Sequence, residues 1–271
     1  MAGTASRRGF GFLVAIGVAV LPALLQPLPS VAATSTGTLF GIDQTAVYKI
    51  DTTTGALTSF APLPQPPPTQ INPSFNGLAS DSVGHRLFTV RSSMSSDFST
   101  QFYDLVTVDT QSAAVSVSPD MAQGAPELVY DTSSKGLFGI TNVCCPFQLV
   151  RVDPVTGTQT HVADLPGVQE SNMAVAPSKH AIYMTSESFV LGQFQPVVNV
   201  IAVDESTGAI TTSPVLATGV SQVAYDTSTG SLFGKSFCCP GNLLKIDPAT
   251  GAETAVETTD LGFGSGFAMD S

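Results

Sequence analysis

Tryptophan is absent from the 271 residues, and positive charge is scarce: 10 Lys+Arg stand against 21 Asp+Glu, a net charge of −11. Such an acidic surface repels phosphate backbones and anionic membranes, so nucleic acid is excluded as an expected partner. Charged residues make up only 11% of the chain, and Thr, Ser, Gly and Pro take their place on the surface, as many tight turns between strands require. Long apolar runs are missing beyond the first 25 residues, so no membrane span is expected in a mature form. Only three histidines occur: His85, His161 and His180. The repeat described below assigns His85 and His180 to turns and His161 to an outer strand, where the three cannot converge on one metal or triad. No Gly-x-Ser-x-Gly elbow or phosphate-binding loop stands before a helix; Gly262-Phe263-Gly264-Ser265-Gly266 enters a strand and reads as a turn.

What is present is a phrase repeated five times. An apolar couplet occurs at Leu39-Phe40, Leu87-Phe88, Leu137-Phe138, Ile182-Tyr183 and Leu232-Phe233, spaced by 48, 50, 45 and 50 residues. A second apolar run follows each couplet and ends in Asp51, Asp109, Asp153, Asp204 or Asp247, then in turns such as Asp247-Pro248-Ala249-Thr250-Gly251. Asp bonds the backbone ahead of it and Gly takes the left-handed position, so these are hairpin turns rather than calcium loops. A short outer strand comes next. An inner strand precedes the couplets at Gly77–Asp81, Glu127–Asp131, Met173–Ala176 and Gln222–Asp226. All-strand units of this period are blades of a β-propeller. The first couplet lacks an inner strand, and the chain ends with a spare one, Gly266–Asp270. The expectation is an all-β, five-bladed β-propeller of four-stranded antiparallel blades, closed by the C-terminal strand beside the first blade.

Arg7 and Arg8, an apolar run from Phe10 to Leu25 and small residues to Ala33 form the pattern of an export signal. Ser6-Arg7-Arg8-Gly9-Phe10 also resembles a twin-arginine signal. Residues 1–33 are therefore expected to be a signal peptide and 34–271 one propeller domain, secreted or periplasmic and monomeric. Its removal takes Lys+Arg from 10 to 8 and the net charge from −11 to −13.

Candidate sites lie where the five copies differ. Two loops carry acids and aromatic rings: Ser92 to Asp104, with Asp97, Phe98 and Tyr103, and Ser186 to Asn199, with Glu187 and Phe194. All four cysteines fall in matched insertions, Cys144-Cys145-Pro146 and Cys238-Cys239-Pro240. In an exported protein they are expected to be oxidised. Vicinal bridges, Cys144–Cys145 and Cys238–Cys239, are the leading pairing; bridges between the two loops, free thiols and a four-thiolate metal site are the alternatives. The residues entering the inner strands, Asn76, Glu127, Asn172, Gln222 and Ser265, would form a polar ring at the channel mouth. One carboxylate is thin for calcium or for acid–base hydrolysis.

The phrase in Leu149–Gly157 and Leu244–Gly251 resembles the repeat of secreted bacterial propellers of the YVTN and quinoprotein-like type. The resemblance implies fold, not activity. Quinoprotein dehydrogenases carry a vicinal disulfide beside their cofactor, but their blades also carry a tryptophan motif that this chain lacks, so no quinone is expected. The expected function is non-enzymatic binding of a protein or small ligand through the loops of one face, without a cofactor. The alternative is a hydrolase or lactonase-like enzyme holding a divalent cation, such as calcium, near Glu127.

Overall fold

A computed structural model describes residues 38–51, 54–141, 146–168, 173–188, 197–236 and 241–257. These residues form a five-bladed β-propeller of antiparallel sheets. Blade 1 contains β1 (Leu39–Ile42), β2 (Ala46–Ile50) and β3 (Leu57–Pro62). Blade 2 contains β4 (Gln70–Asp81), β5 (Arg86–Ser95), β6 (Gln101–Asp109) and β7 (Val115–Asp120). Blade 3 contains β8 (Glu127–Asp131), β9 (Gly136–Ile140), β10 (Phe147–Val152) and β11 (Gln159–Leu165). Blade 4 contains β12 (Ala174–Ala176), β13 (Ala181–Ser188), β14 (Val197–Asp204) and β15 (Ile210–Thr212), with one 3₁₀ turn at Pro177–Lys179. Blade 5 contains β16 (Val220–Asp226), β17 (Ser231–Ser236), β18 (Leu243–Ile246) and β19 (Glu253–Glu257). The strand expected to complete blade 1, Gly266–Asp270, lies outside the described residues, as does the export signal assigned to residues 1–33.

In blades 2, 3 and 4 the couplet sits in the second strand, and its two side chains enter the two seams beside that blade. Leu137 joins the cluster between blades 2 and 3, while Phe138 joins the one between blades 3 and 4. Among the described residues four such clusters follow one another around the ring, so the core there is a series of apolar seams. Burying large side chains such as Phe88, Phe138 and Ile182 in them is the main force holding neighbouring blades together.

The Asp–Gly turns also serve the seams. In each, the Asp carbonyl accepts from the residue four places on: Gly55, Ala113, Gly157, Gly208 or Gly251. Where described, the Asp carboxylate accepts from backbone N–H groups two or three residues ahead. In each case the accepting atom is Oδ1. Gly208 has φ +71° and lies so close to blade 3 that a Cβ there would stand 2.1 Å from the Val162 carbonyl oxygen. Gly251 has φ +69° and meets Pro214 of blade 4 in the same manner.

The segment read as a loop from Ser92 to Asp104 is instead mostly strand. The β5–β6 pairing continues without a break from Arg91–Asp104 to Met94–Gln101, leaving a short turn. Serines on both faces hid this continuation, because they carry no apolar alternation. The Ser186–Asn199 segment is likewise strand at both ends, paired from Ser186–Asn199 to Ser188–Val197. The inner strand β4 starts well before Gly77 and accommodates Pro73 at a register shift between Ile71 and Ser74.

Candidate functional site

The β5–β6 hairpin rises on the face that carries the loops between second and third strands. Two paired strands of ten and nine residues give it height, against five and six in blade 3. A buried ion pair fixes its base. Arg91 Nε and Nη2 donate to Asp104 Oδ2 at 2.9 and 2.6 Å, and Arg91 Nη1 donates to the Pro64 carbonyl at 2.9 Å. That last bond ties the proline-rich segment to the hairpin. Ser93 Oγ adds a bond to Gln70 Oε1 at 2.7 Å.

At the tip, Asp97 is occupied by its own turn. Its Oδ1 accepts from the Ser95 hydroxyl at 2.5 Å, the Ser99 hydroxyl at 2.8 Å and the Ser99 N–H at 3.1 Å. These bonds, the Ser95 hydroxyl first, hold its pKa at about 2. Asp97 is thus anionic and turn-forming. The turn in turn presents Phe98, which has φ +61° and is 61% exposed. Tyr103 does not share that exposure; it is half-buried and packs against the seam between blades 2 and 3.

In blade 4, Glu187 is half-buried near the end of β13, and burial raises its pKa. Its N–H donates to the Gly167 carbonyl at 2.7 Å, anchoring the loop that follows β11. Three of the proposed channel-mouth residues are described. Asn76, Glu127 and Gln222 occupy one register position on β4, β8 and β16, opposite Val90, Ile140 and Lys235. Asn76 is exposed and Glu127 half-buried. The Gln222 Oε1 is buried with no hydrogen-bond partner among the described residues. Among the described residues, Glu127 belongs to no group of three metal-ligating side chains. Asn172, Ser265, Phe194 and all four cysteines, Cys144, Cys145, Cys238 and Cys239, lie outside the described residues.

The opposite face holds a cluster that sequence reasoning missed. Asp131, His180 and Glu205 bring one ligand atom each within 4.8 Å of one another. Glu205 Oε1 lies 3.2 Å from His180 Nδ1, and its Oε2 accepts from Ser134 Oγ at 3.1 Å. Asp131 accepts from the Ser133 N–H at 2.8 Å and hydroxyl at 2.9 Å. Burial, then the hydrogen bond with Asp131, raises the pKa of Glu205. Burial alone would raise Asp131 too, but hydrogen bonds from Glu205, Ser133 and Ser134 outweigh it and lower its pKa. The side-chain hydrogen bond between Asp131 and Glu205 joins blade 3 to blade 4. A signal existed in the sequence: Glu205 follows Asp204 where the other units have Thr52, Thr110, Pro154 and Pro248.

No protein-family model matches the chain. No curated protein matches it either. Solved structures do resemble it. A chain of a nidogen/laminin complex aligns over 86% of this chain and 81% of its own length, at 14% identity and TM-score 0.59. TolB from Acinetobacter baumannii aligns over 82% of this chain and 52% of its own, at 12% and 0.54. A protein assigned as a 6-phosphogluconolactonase from Bacteroides uniformis aligns over 80% and 65%, at 13% and 0.51. At these identities the shared property is the β-propeller fold. Among the described residues, no helix is long and apolar enough to cross a membrane.

Proposed function

We propose that this chain is an exported, non-enzymatic β-propeller that binds a protein partner on the face bearing the β5–β6 and β13–β14 hairpins. The observation that carries the reading is Phe98. An aromatic ring, 61% exposed, is set in a left-handed tip on a hairpin whose base is locked by a buried Arg91–Asp104 pair. A stiff support lowers the entropy lost when such an anchor docks, and exposed aromatic anchors dominate the energetics of many interfaces. The acid beside it, Asp97, already serves the turn and leaves the ring as the contact group. A nidogen/laminin complex among the similar structures accords with a propeller that engages a protein, at the level of fold.

The test uses the immobilised protein and the extracellular protein fraction of its source culture. The retained partner is purified and its affinity measured for wild type, Phe98→Asp and Val155→Asp, the last being a control on the opposite face that is 76% exposed in the wild type. Loss of binding with Phe98→Asp alone supports the reading. Equal binding by wild type and Phe98→Asp overturns it. The competing reading, a hydrolase or lactonase-like enzyme with a cation at the channel mouth, is tested by calcium titration. A tightly bound calcium ion lost in Glu127→Gln would replace the binding reading.

A further inference from the structure

Asn76-Gly77 is the one Asn-Gly step in the chain, and it lies in β4 where the ladder with β5 breaks. Asn76 pairs with Val90 and Ala79 with Phe88, so Gly77 and Leu78 together face the single residue Thr89. This is a β-bulge, which leaves backbone out of the ladder and re-aims the side chains around it. Gly77 has φ +65°, a left-handed conformation that glycine takes without a Cβ penalty. A Cβ on Gly77 would stand 2.6 Å from the Pro126 carbonyl oxygen and 3.1 Å from the Leu128 nitrogen, the residues on either side of Glu127. Positive φ and close approach to blade 3 therefore both require glycine after Asn76.

The side chain of Asn76 is exposed and weakly held. Its Nδ2 donates to Ser74 Oγ at 3.4 Å, while Ser74 Oγ shares a much shorter bond, 2.6 Å, with Ser92 Oγ. The backbone carbonyl of Asn76 has a different partner. Thr89 Oγ1, on a buried residue, donates to it at 3.2 Å. A hydrogen bond to that oxygen polarises the peptide group and makes the Gly77 N–H a stronger acid. Asn199 offers the contrast. The branched Val200 follows it, and its Nδ2 is tied to the Ser213 carbonyl at 2.8 Å.

We propose that Asn76-Gly77 is a site of intramolecular deamidation, promoted by the Thr89 hydroxyl, that adds a carboxylate at the proposed channel mouth. The Gly77 nitrogen loses its proton to solvent hydroxide and attacks Cγ of Asn76. A new C–N bond closes a five-membered imide, the Cγ–Nδ2 bond breaks, and Nδ2 leaves as ammonia. One water then opens the imide at either carbonyl and leaves an aspartyl or isoaspartyl residue at position 76. The net reaction exchanges amide and water for carboxylate and ammonium, with no oxidant or reductant.

The position gives the reaction its consequence. Asn76, Glu127 and Gln222 share one register position in three blades, and of these Glu127 alone carries a carboxylate. Conversion at Asn76 supplies a second one in the blade next to Glu127. It changes the charge of the mouth without any change of sequence. The site does not depend on the partner proposed for the Phe98 hairpin.

The test incubates the native protein at physiological temperature and mildly alkaline pH, and follows each asparagine by peptide mass spectrometry. Isoaspartate is detected by enzymatic methylation. Conversion should appear at Asn76 ahead of Asn199 and Asn242, and should quicken as pH rises, because the attacking group is the deprotonated amide. Asn76→Gln should stop it, since the larger ring closes far more slowly. Thr89→Val keeps the shape of the side chain but removes the donor, and should slow conversion roughly three- to tenfold, the size of one lost hydrogen bond. Thr89→Ser keeps the donor and should keep the rate. A urea-unfolded sample gives the rate of the sequence without the fold. Conversion there but none in the native protein over the same period overturns the inference, and a Thr89→Val rate equal to wild type overturns the part assigned to Thr89.

Discussion

Arg91→Met probes the base of the tall hairpin. The wild-type pair is almost fully buried, with side-chain exposures of 7% for Arg91 and 6% for Asp104. Methionine preserves much of the arginine stem but removes two bonds to Asp104 and one to the Pro64 carbonyl. Asp104 is then a buried carboxylate with no cation beside it. Breaking a buried pair from one side costs about 3–5 kcal/mol, mostly the penalty of the stranded charge. For a domain of this size each kcal/mol shifts Tm by roughly 2–4 °C, so a fall of about 6–20 °C is expected. Urea unfolding followed by far-ultraviolet circular dichroism measures it as a lower midpoint at unchanged slope. The double variant Arg91→Met/Asp104→Leu removes both charges and should recover most of the loss. A single-variant cost below about 1 kcal/mol, or a double variant no better than the single, would refute the claim that this pair locks the hairpin.

Three other outcomes are expected. Gly208→Ala forces a side chain into a left-handed position 2.1 Å from the Val162 carbonyl and should destabilise the protein by about 2 kcal/mol or more, read from urea midpoints. Ala113 holds φ +61° where the equivalent turns have glycine, so Ala113→Gly should stabilise by about 1 kcal/mol in the same assay. Glu205 has a folded pKa raised above its unfolded value, so its contribution is full below that unfolded value, near pH 4.5, and is lost as pH rises through the folded one. Stability of Glu205→Gln measured across that window should lack this decline; a decline identical to wild type counts against the buried Asp131–Glu205 hydrogen bond.

The fold was legible because each unit repeats strand-length apolar runs and the turn chemistry between them. The inner strand Glu127–Asp131 falls where the sequence indicates. The height of blade 2 was not legible. Ser92, Ser93 and Ser95 alternate no hydrophobicity, and their strand character comes from pairing with β4 and β6. The candidate sites were legible only where neighbours in sequence make them. Phe98 stands out within its own hairpin. Asp131 and Glu205 are 74 positions apart and meet only because blades 3 and 4 are adjacent.

The central claim, that the hairpin face is the binding face, is tested most directly by amide hydrogen exchange on the protein with and without its purified partner. New protection is expected in the peptide spanning Ser95 to Gln101, with unchanged exchange in the Asp153–Gly157 and Asp204–Gly208 turns on the opposite face. Protection confined to those turns, with the Phe98 hairpin unaffected, would contradict it.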